Sequence, residues 1–290
     1  MDTASSARTG KGAGDENFPV ASWLIAPRHR PAILAFYDFA RTADDVADHP
    51  TLQPSEKMRL LDDLEASLLG KSDKEAAALP LRAILLELDL TPKHALDLLD
   101  AFRLDVRKTR YGSWSDLISY CHLSAMPVGR YVLDVHRESR DLWPANDALC
   151  AALQIINHLQ DCGKDYRELD RVYVPLNSMQ AAGVQVSDLG AAAASPGLRL
   201  CLSELALRTS TLLDEAAPFS LGIRDRRLSL EVAVIHRVAT KLSRLLRQRD
   251  PLSERVHIGK VDAFGVLVGA LTSRIGDISW RKVPASRPSI

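Results

Sequence analysis

Two helix-length stretches of this chain each carry one polar row through an otherwise apolar face, and together they constrain the fold more than any other feature. At about 100° per residue, Tyr37, Arg41, Asp44 and Asp48 stand at offsets of 0, 4, 7 and 11, a stripe roughly 60° wide. Gln154, Asn157, Asp161 and Asp165 fall at 0, 3, 7 and 11. Phe36, Phe39, Ile155, Ile156 and Leu159 surround them. Carboxylates turned into apolar surroundings are heavily penalised unless a cation accompanies them. Taken alone, the run DDVAD from Asp44 to Asp48 suits a solvated acidic face. The second row is a poor recipe for such a face, so the pair predicts two helices opposed across a metal. Hard oxygen donors without clustered His or Cys suit Mg²⁺, which keeps part of its water shell and shares the rest with phosphate oxygens. A magnesium-diphosphate site follows as the expectation.

The remainder of the chain agrees with an all-α bundle. Apolar residues recur at helical spacing almost throughout, and β-branched alternation is nearly absent. Helices are expected at 31–48, 54–69, 75–88, 92–109, 113–136, 141–166, 198–214, 228–248 and 261–280, with a kink at Pro127 and prolines marking most boundaries. Short connections between long helices predict a single antiparallel bundle around a central cavity. With 290 residues, 46% of them hydrophobic, one large domain is expected, residues 16–281, between a flexible lead-in (1–15) and a loose tail (282–290).

Composition narrows the function classes. The formal net charge is zero, which gives no basic surface for nucleic acid. The four cysteines show neither CxxC nor zinc spacing and read as free thiols of a cytoplasmic protein. The lead-in lacks the apolar core of a secretory signal, and no stretch reaches the apolar length of a membrane span. A lipid substrate would then need an internal pocket or a peripheral membrane contact.

The words ENFPVAS, FYDFARTADDVAD, YCHLSAMPVG and QIINHLQDCGKDYRELDRVYVP resemble the head-to-head isoprenoid synthases, the squalene and phytoene synthase family. ENFPVAS and NHLQDCGKDYRELDRVY are most similar to its hopanoid-pathway, hydroxysqualene-forming branch. The resemblance covers about residues 16–275 and implies the isoprenoid-synthase fold, with Mg²⁺ as cofactor and a prenyl diphosphate as substrate. Asp44 and Asp48, with Asp45 as auxiliary, would hold metal from one helix. Asn157, Asp161 and Asp165 would hold it from the other. Tyr37 and Arg41 would donate to diphosphate oxygens, and Arg171 and Tyr173 would close over them. His158, a turn from Gln154, is either a proton acceptor beside the cation or a satisfied core histidine. Arg171 has its own plain alternative as a surface cation at a helix end.

In the branch favoured by these words, water captures the cation left when presqualene diphosphate ionises, with no nicotinamide needed. The substrate would be handed over by a presqualene diphosphate synthase. Two alternatives share the motifs: a synthase joining prenyl diphosphates into presqualene diphosphate, dehydrosqualene or phytoene, and a non-catalytic assembly factor, which the intact aspartates argue against. The chain also departs from the family's AGxVG. Met126 stands at the glycine position within AMPVG, which predicts a reshaped cavity, and His236 lies where relatives often carry tyrosine.

Overall fold

The computed structural model describes residues 3–7 and 25–257. Pro31 sits in the first turn of α1 (Arg30–Ala47), where its missing N–H costs nothing and its fixed φ suits the helix. After α1 come α2 (Pro54–Leu68), α3 (Ala78–Glu87), α4 (Lys93–Arg107), α5 (Trp114–Ser124), α6 (Met126–Val135) and α7 (Trp143–Leu169). The chain continues through α8 (Leu176–Ala181), α9 (Pro196–Ala216), α10 (Phe219–Gly222) and α11 (Arg226–Leu246). The all-α reading holds: among the described residues there is no β-strand, only one isolated parallel bridge between Arg110 and Val172. The helix expected at 261–280, the tail, and the word ENFPVAS lie outside the described residues. Of the lead-in, Ala4–Ala7 form a 3-10 turn whose Ala4 is buried and donates its N–H to Glu75 Oε2 at 2.8 Å.

One expected helix divides. Instead of kinking, 113–136 breaks at Ala125, whose φ of −119° leaves helical geometry, and Pro127 then falls in the first turn of α6. A proline there needs no i−4 partner, so two helices replace one bent helix. α7 runs longer than the spacing indicates and keeps Asp165 inside the helix. It ends at Asp170, which takes the left-handed conformation with φ 50°.

Two apolar clusters form the core. One gathers residues such as Leu149, Ile155, Leu202, Leu205 and Leu242 from α7, α9 and α11. The other gathers Phe39, Leu60, Leu64, Leu81 and Leu99 from α1 to α4. Each such side chain, fully buried, contributes about 1.5–3 kcal/mol relative to exposure. α6 serves both: Leu133 belongs to the first, Tyr131 and Val135 to the second. Tyr131 stacks on Phe36 with centroids 4.0 Å apart and donates to the Ala32 carbonyl at 3.0 Å. The functional cavity opens between the clusters.

Gly129 is what brings α6 against α7. A Cβ on it would stand 2.0 Å from Asn146 Oδ1 and 2.7 Å from Cys150 Sγ, so any side chain must displace those two groups or push the helices apart. Gly129→Ala is expected to destabilise the fold by about 1–3 kcal/mol, the usual cost of overpacking, measured by urea unfolding. An unchanged midpoint would show that Asn146 and Cys150 give way at no cost and that Gly129 does not set the approach of α6 to α7.

Candidate functional site

Between α1 and α4 on one side and α5 and α7 on the other lies a cavity of about 300 Å³. Asp44 and Asp48 enter it from α1; Gln154, Asn157, His158, Asp161 and Asp165 enter from α7. The α7 row and the C-terminal half of the α1 row, Asp44 and Asp48, therefore face one space. Among the described residues, no three carboxylates of these rows bring oxygens within 4.8 Å of one another.

Arg171 and Tyr173 reach the same cavity by a backbone device. After Asp170 turns the chain, the N–H of Val172 donates to the Thr109 carbonyl at 2.9 Å, and that of Leu176 to the Tyr111 carbonyl at 2.9 Å. The segment is thus extended along 109–112. Successive side chains of an extended segment alternate, so Arg171 and Tyr173 face the cavity while Val172 and Val174 join the core. Arg171 is buried, which sets aside the surface-cation alternative, and its Nη1 lies 2.5 Å from Asp48 Oδ1.

Charge dominates the site. Burial first, and then the neighbouring Asp48, push the Asp44 carboxyl up to about 7, against the pull of Arg41. Burial and Asp161 likewise push Asp165 up to about 7. His158 moves the opposite way, down to about 3, through burial and the charge of Arg171. It is therefore a neutral imidazole, hydrogen-bonded to Gln154 Nε2 at 3.1 Å and stacked on Tyr173 with centroids 3.5 Å apart.

Tyr37, Arg41 and Asp45 do not line this cavity. Arg41 contacts Asp44 at 3.0 Å and the buried Asp45 at 2.7 Å, so it braces the α1 row from behind. Met126 lines neither this cavity nor the apolar one beside α6; it is buried in the core. His236 binds the Leu213 carbonyl at 2.7 Å and ties α11 to α9. Lys108 and Arg110 are ion-paired with Asp116 and Asp170. The four cysteines are free thiols, Cys150 half-buried and the others buried.

The sequence reading missed Asp105. It lines the cavity, accepts the Tyr120 hydroxyl at 2.7 Å and the Tyr173 hydroxyl at 3.3 Å, and burial pushes it up to about 6. The signal was present: Leu98, Ala101 and Asp105 stand at i, i+3 and i+7 on the buried stripe of α4. A carboxylate on such a stripe requires a partner or a function. Phe102 and Ser124, also cavity residues, carry no comparable signal.

Residues 12–262 match the squalene/phytoene synthase family. The chain is 54% identical over 289 residues to the hydroxysqualene synthase of Rhodopseudomonas palustris, covering 100% of this chain and 99% of that one. It is 52% identical to the hydroxysqualene synthase of Zymomonas mobilis, over 92% of this chain and 91% of the relative. A solved squalene synthase from Alicyclobacillus acidocaldarius superposes with a TM-score of 0.72 at 29% identity, spanning 84% of this chain and 92% of its own.

The raised carboxyls make the metal-free protein sensitive to pH. Asp44 and Asp165, near 7 when folded against an ordinary 3.8, hold protons that the unfolded chain has lost. Stability must then fall as pH rises through that window. Asp105 acts in the same sense; His158, neutral when folded, opposes it only below its ordinary 6.5. With chelator present, the melting temperature is expected to drop between pH ~4 and ~7 and to level off above that, and Mg²⁺ with diphosphate should remove most of that slope. A rising or flat profile in chelator would contradict this electrostatic picture.

Proposed function

Because the chain belongs to the squalene/phytoene synthase family, with its isoprenoid-synthase fold, we propose that it converts presqualene diphosphate and water to hydroxysqualene and diphosphate. The observation that carries this reading is the cavity in which the α1 and α7 rows meet, combined with relatives of matching length that bear the hydroxysqualene synthase name. Asp44 and Asp48 from one wall, with Asn157, Asp161 and Asp165 from the other, are the oxygen donors for Mg²⁺. The donor chemistry fits: Asp44 and Asp165 are pushed up to about 7 by burial and by their neighbours Asp48 and Asp161, a charge crowding that a divalent cation would relieve. When bound, the metal neutralises charge growing on the leaving diphosphate.

The protein's own groups account for the rest. Arg171 is a buried guanidinium at the cavity wall, placed to exchange Asp48 for a diphosphate oxygen, a charge-assisted contact. Tyr120 and Tyr173 have their hydroxyls turned onto Asp105, and electron-rich rings of this kind stabilise a nearby carbocation. Water adds to that cation and forms the new C–O bond. The oxonium then loses one proton, and the diphosphate just released is the base to receive it, while neutral His158 stays in the cavity wall as the acceptor of Gln154. In this reading the substrate comes from a presqualene diphosphate synthase, and the lipid is exchanged at a peripheral membrane contact. Among the described residues, no helix is long and apolar enough to cross a membrane.

Two measurements test the proposal. Purified protein with Mg²⁺ and presqualene diphosphate, without NADPH, is expected to give an alcohol whose oxygen comes from isotopically labelled water, and farnesyl diphosphate alone should give almost no triterpene. Efficient head-to-head coupling of farnesyl diphosphate would instead assign the prenyltransferase reaction. Asp161→Ala should lower turnover at least about a hundredfold, several kcal/mol of lost charge stabilisation, with unchanged circular dichroism. Turnover within threefold of the parent would exclude the α7 row as the metal site.

A further inference from the structure

A second set of donors lies at the other end of α1. His29 precedes that helix, His136 closes α6 and Asp225 caps α11, and one ligand atom of each lies within 4.8 Å of the other two. At the helical rise, the span from His29 to Asp44 is about 22 Å, so this cluster is separate from the aspartate rows. We infer that His29, His136 and Asp225 form a site for a transition-metal dication of the zinc class, which clamps the ends of α1, α6 and α11 together.

His136 provides the first argument. Its Nδ1 donates to the Val132 carbonyl at 2.8 Å, which fixes the neutral tautomer with a lone pair on Nε2. That Nε2 is buried and has no hydrogen-bond partner. An imidazole oriented by a backbone carbonyl, with its other nitrogen bare, is how proteins hold metal-binding histidines.

His29 and Asp225 provide the second. The two imidazoles lie with centroids 4.2 Å apart, close enough for one ion to reach both rings. Asp225 spends Oδ1 on the backbone N–H groups of Arg227 and Leu228, leaving Oδ2 to face the histidines' side. Arg28 covers both remaining donors: its Nε donates to His29 Nε2 at 2.9 Å and its Nη2 stands 3.7 Å from Asp225 Oδ2. That side chain is 74% exposed, so the guanidinium is a displaceable cation resting where a metal's charge would go. Glu138, buried, accepts the N–H groups of Arg224 and Asp225 and pins the loop before α11 to the end of α6, which keeps the donors in register.

Two imidazole nitrogens and one carboxylate oxygen select zinc, cobalt, nickel or copper over magnesium or calcium. Zinc bonds of about 2.1 Å set tetrahedral ligands about 3.4 Å apart, so the three half-buried side chains must close inward, and water takes the fourth place.

The test uses the full chain, stripped by chelator and then given excess Mg²⁺ and diphosphate to fill the oxygen donors of the aspartate rows. Co²⁺ is the probe. One equivalent is expected to bind with the strong visible bands of a tetrahedral imidazole site, to be displaced by Zn²⁺, and Zn²⁺ should raise the melting temperature. His136→Asn and His29→Asn, the latter keeping a good N-cap residue, should each weaken Co²⁺ binding at least tenfold while Mg²⁺-dependent turnover is unchanged. Arg28→Ala should tighten binding, since the competing cation is gone, and it leaves the ligands intact should a histidine variant fail to fold. Co²⁺ affinity equal to the parent's in both histidine variants, or no binding once Mg²⁺ and diphosphate are present, would overturn the inference.

Discussion

Repulsion between carboxylates crowded around one half-buried cavity is the constraint on which this structure depends. Two helices bring Asp44, Asp48, Asp161 and Asp165 around it, and partial burial thins the water that would screen them. Three devices answer the repulsion. Arg171 leans onto Asp48, Arg41 lies against Asp44 and Asp45, and protons are held near neutrality at Asp44 and Asp165. Each offsets negative charge that bound divalent cations would also offset. The site is thus in tension before any ligand arrives, and binding exchanges weak internal compensation for strong external compensation.

Such tension requires a stiff frame. The rows sit on α1 and α7, which belong to different apolar clusters, so neither helix can rotate away without disturbing its own core. α6 ties the clusters together, and it can do so because Gly129 lets it approach α7 closely. The 170–174 segment adds a further strut: its hydrogen bonds to 109 and 111 hold Arg171 on the cavity wall even when its partner is absent. Loops would have been the cheaper carriers for these groups, yet precise placement of charge favours helices and backbone-paired segments.

The parts of the fold and site that were legible in the sequence share a physical reason. Helix periodicity survives wherever one face is buried, so α1, α4, α7 and α11 could be placed from spacing, and the aspartate rows could be read because they break that pattern on a single line. What was not legible depends on contacts between distant residues. That Ala125 ends a helix where only a bend was expected, that Arg41 turns onto Asp45 instead of into the cavity, and that Met126 packs in the core are outcomes of tertiary packing which no local pattern encodes. Asp105 is the intermediate case. Its place on the apolar stripe of α4 was visible, but its meaning came only with Tyr120 and Tyr173, one 15 and the other 68 residues away.

Asp105 also explains how one wall of a charged cavity can suit a carbocation. Two tyrosine hydroxyls are satisfied by a single buried carboxyl, so neither needs a water molecule in the cavity, and each stays where the carboxyl fixes it. The rings of Tyr111, Tyr120 and Tyr173 then pack within 5.2–5.5 Å of one another, the range of favourable aromatic pairs. Polar ends are drawn together and ring surface is grouped beside them. In the proposed reaction, a cavity built this way would separate its tasks by position: oxygen donors and guanidinium at the rows where a diphosphate would leave, and rings with one neutral imidazole where the cation would remain, so that the water that quenches the cation would be a reagent instead of a leak.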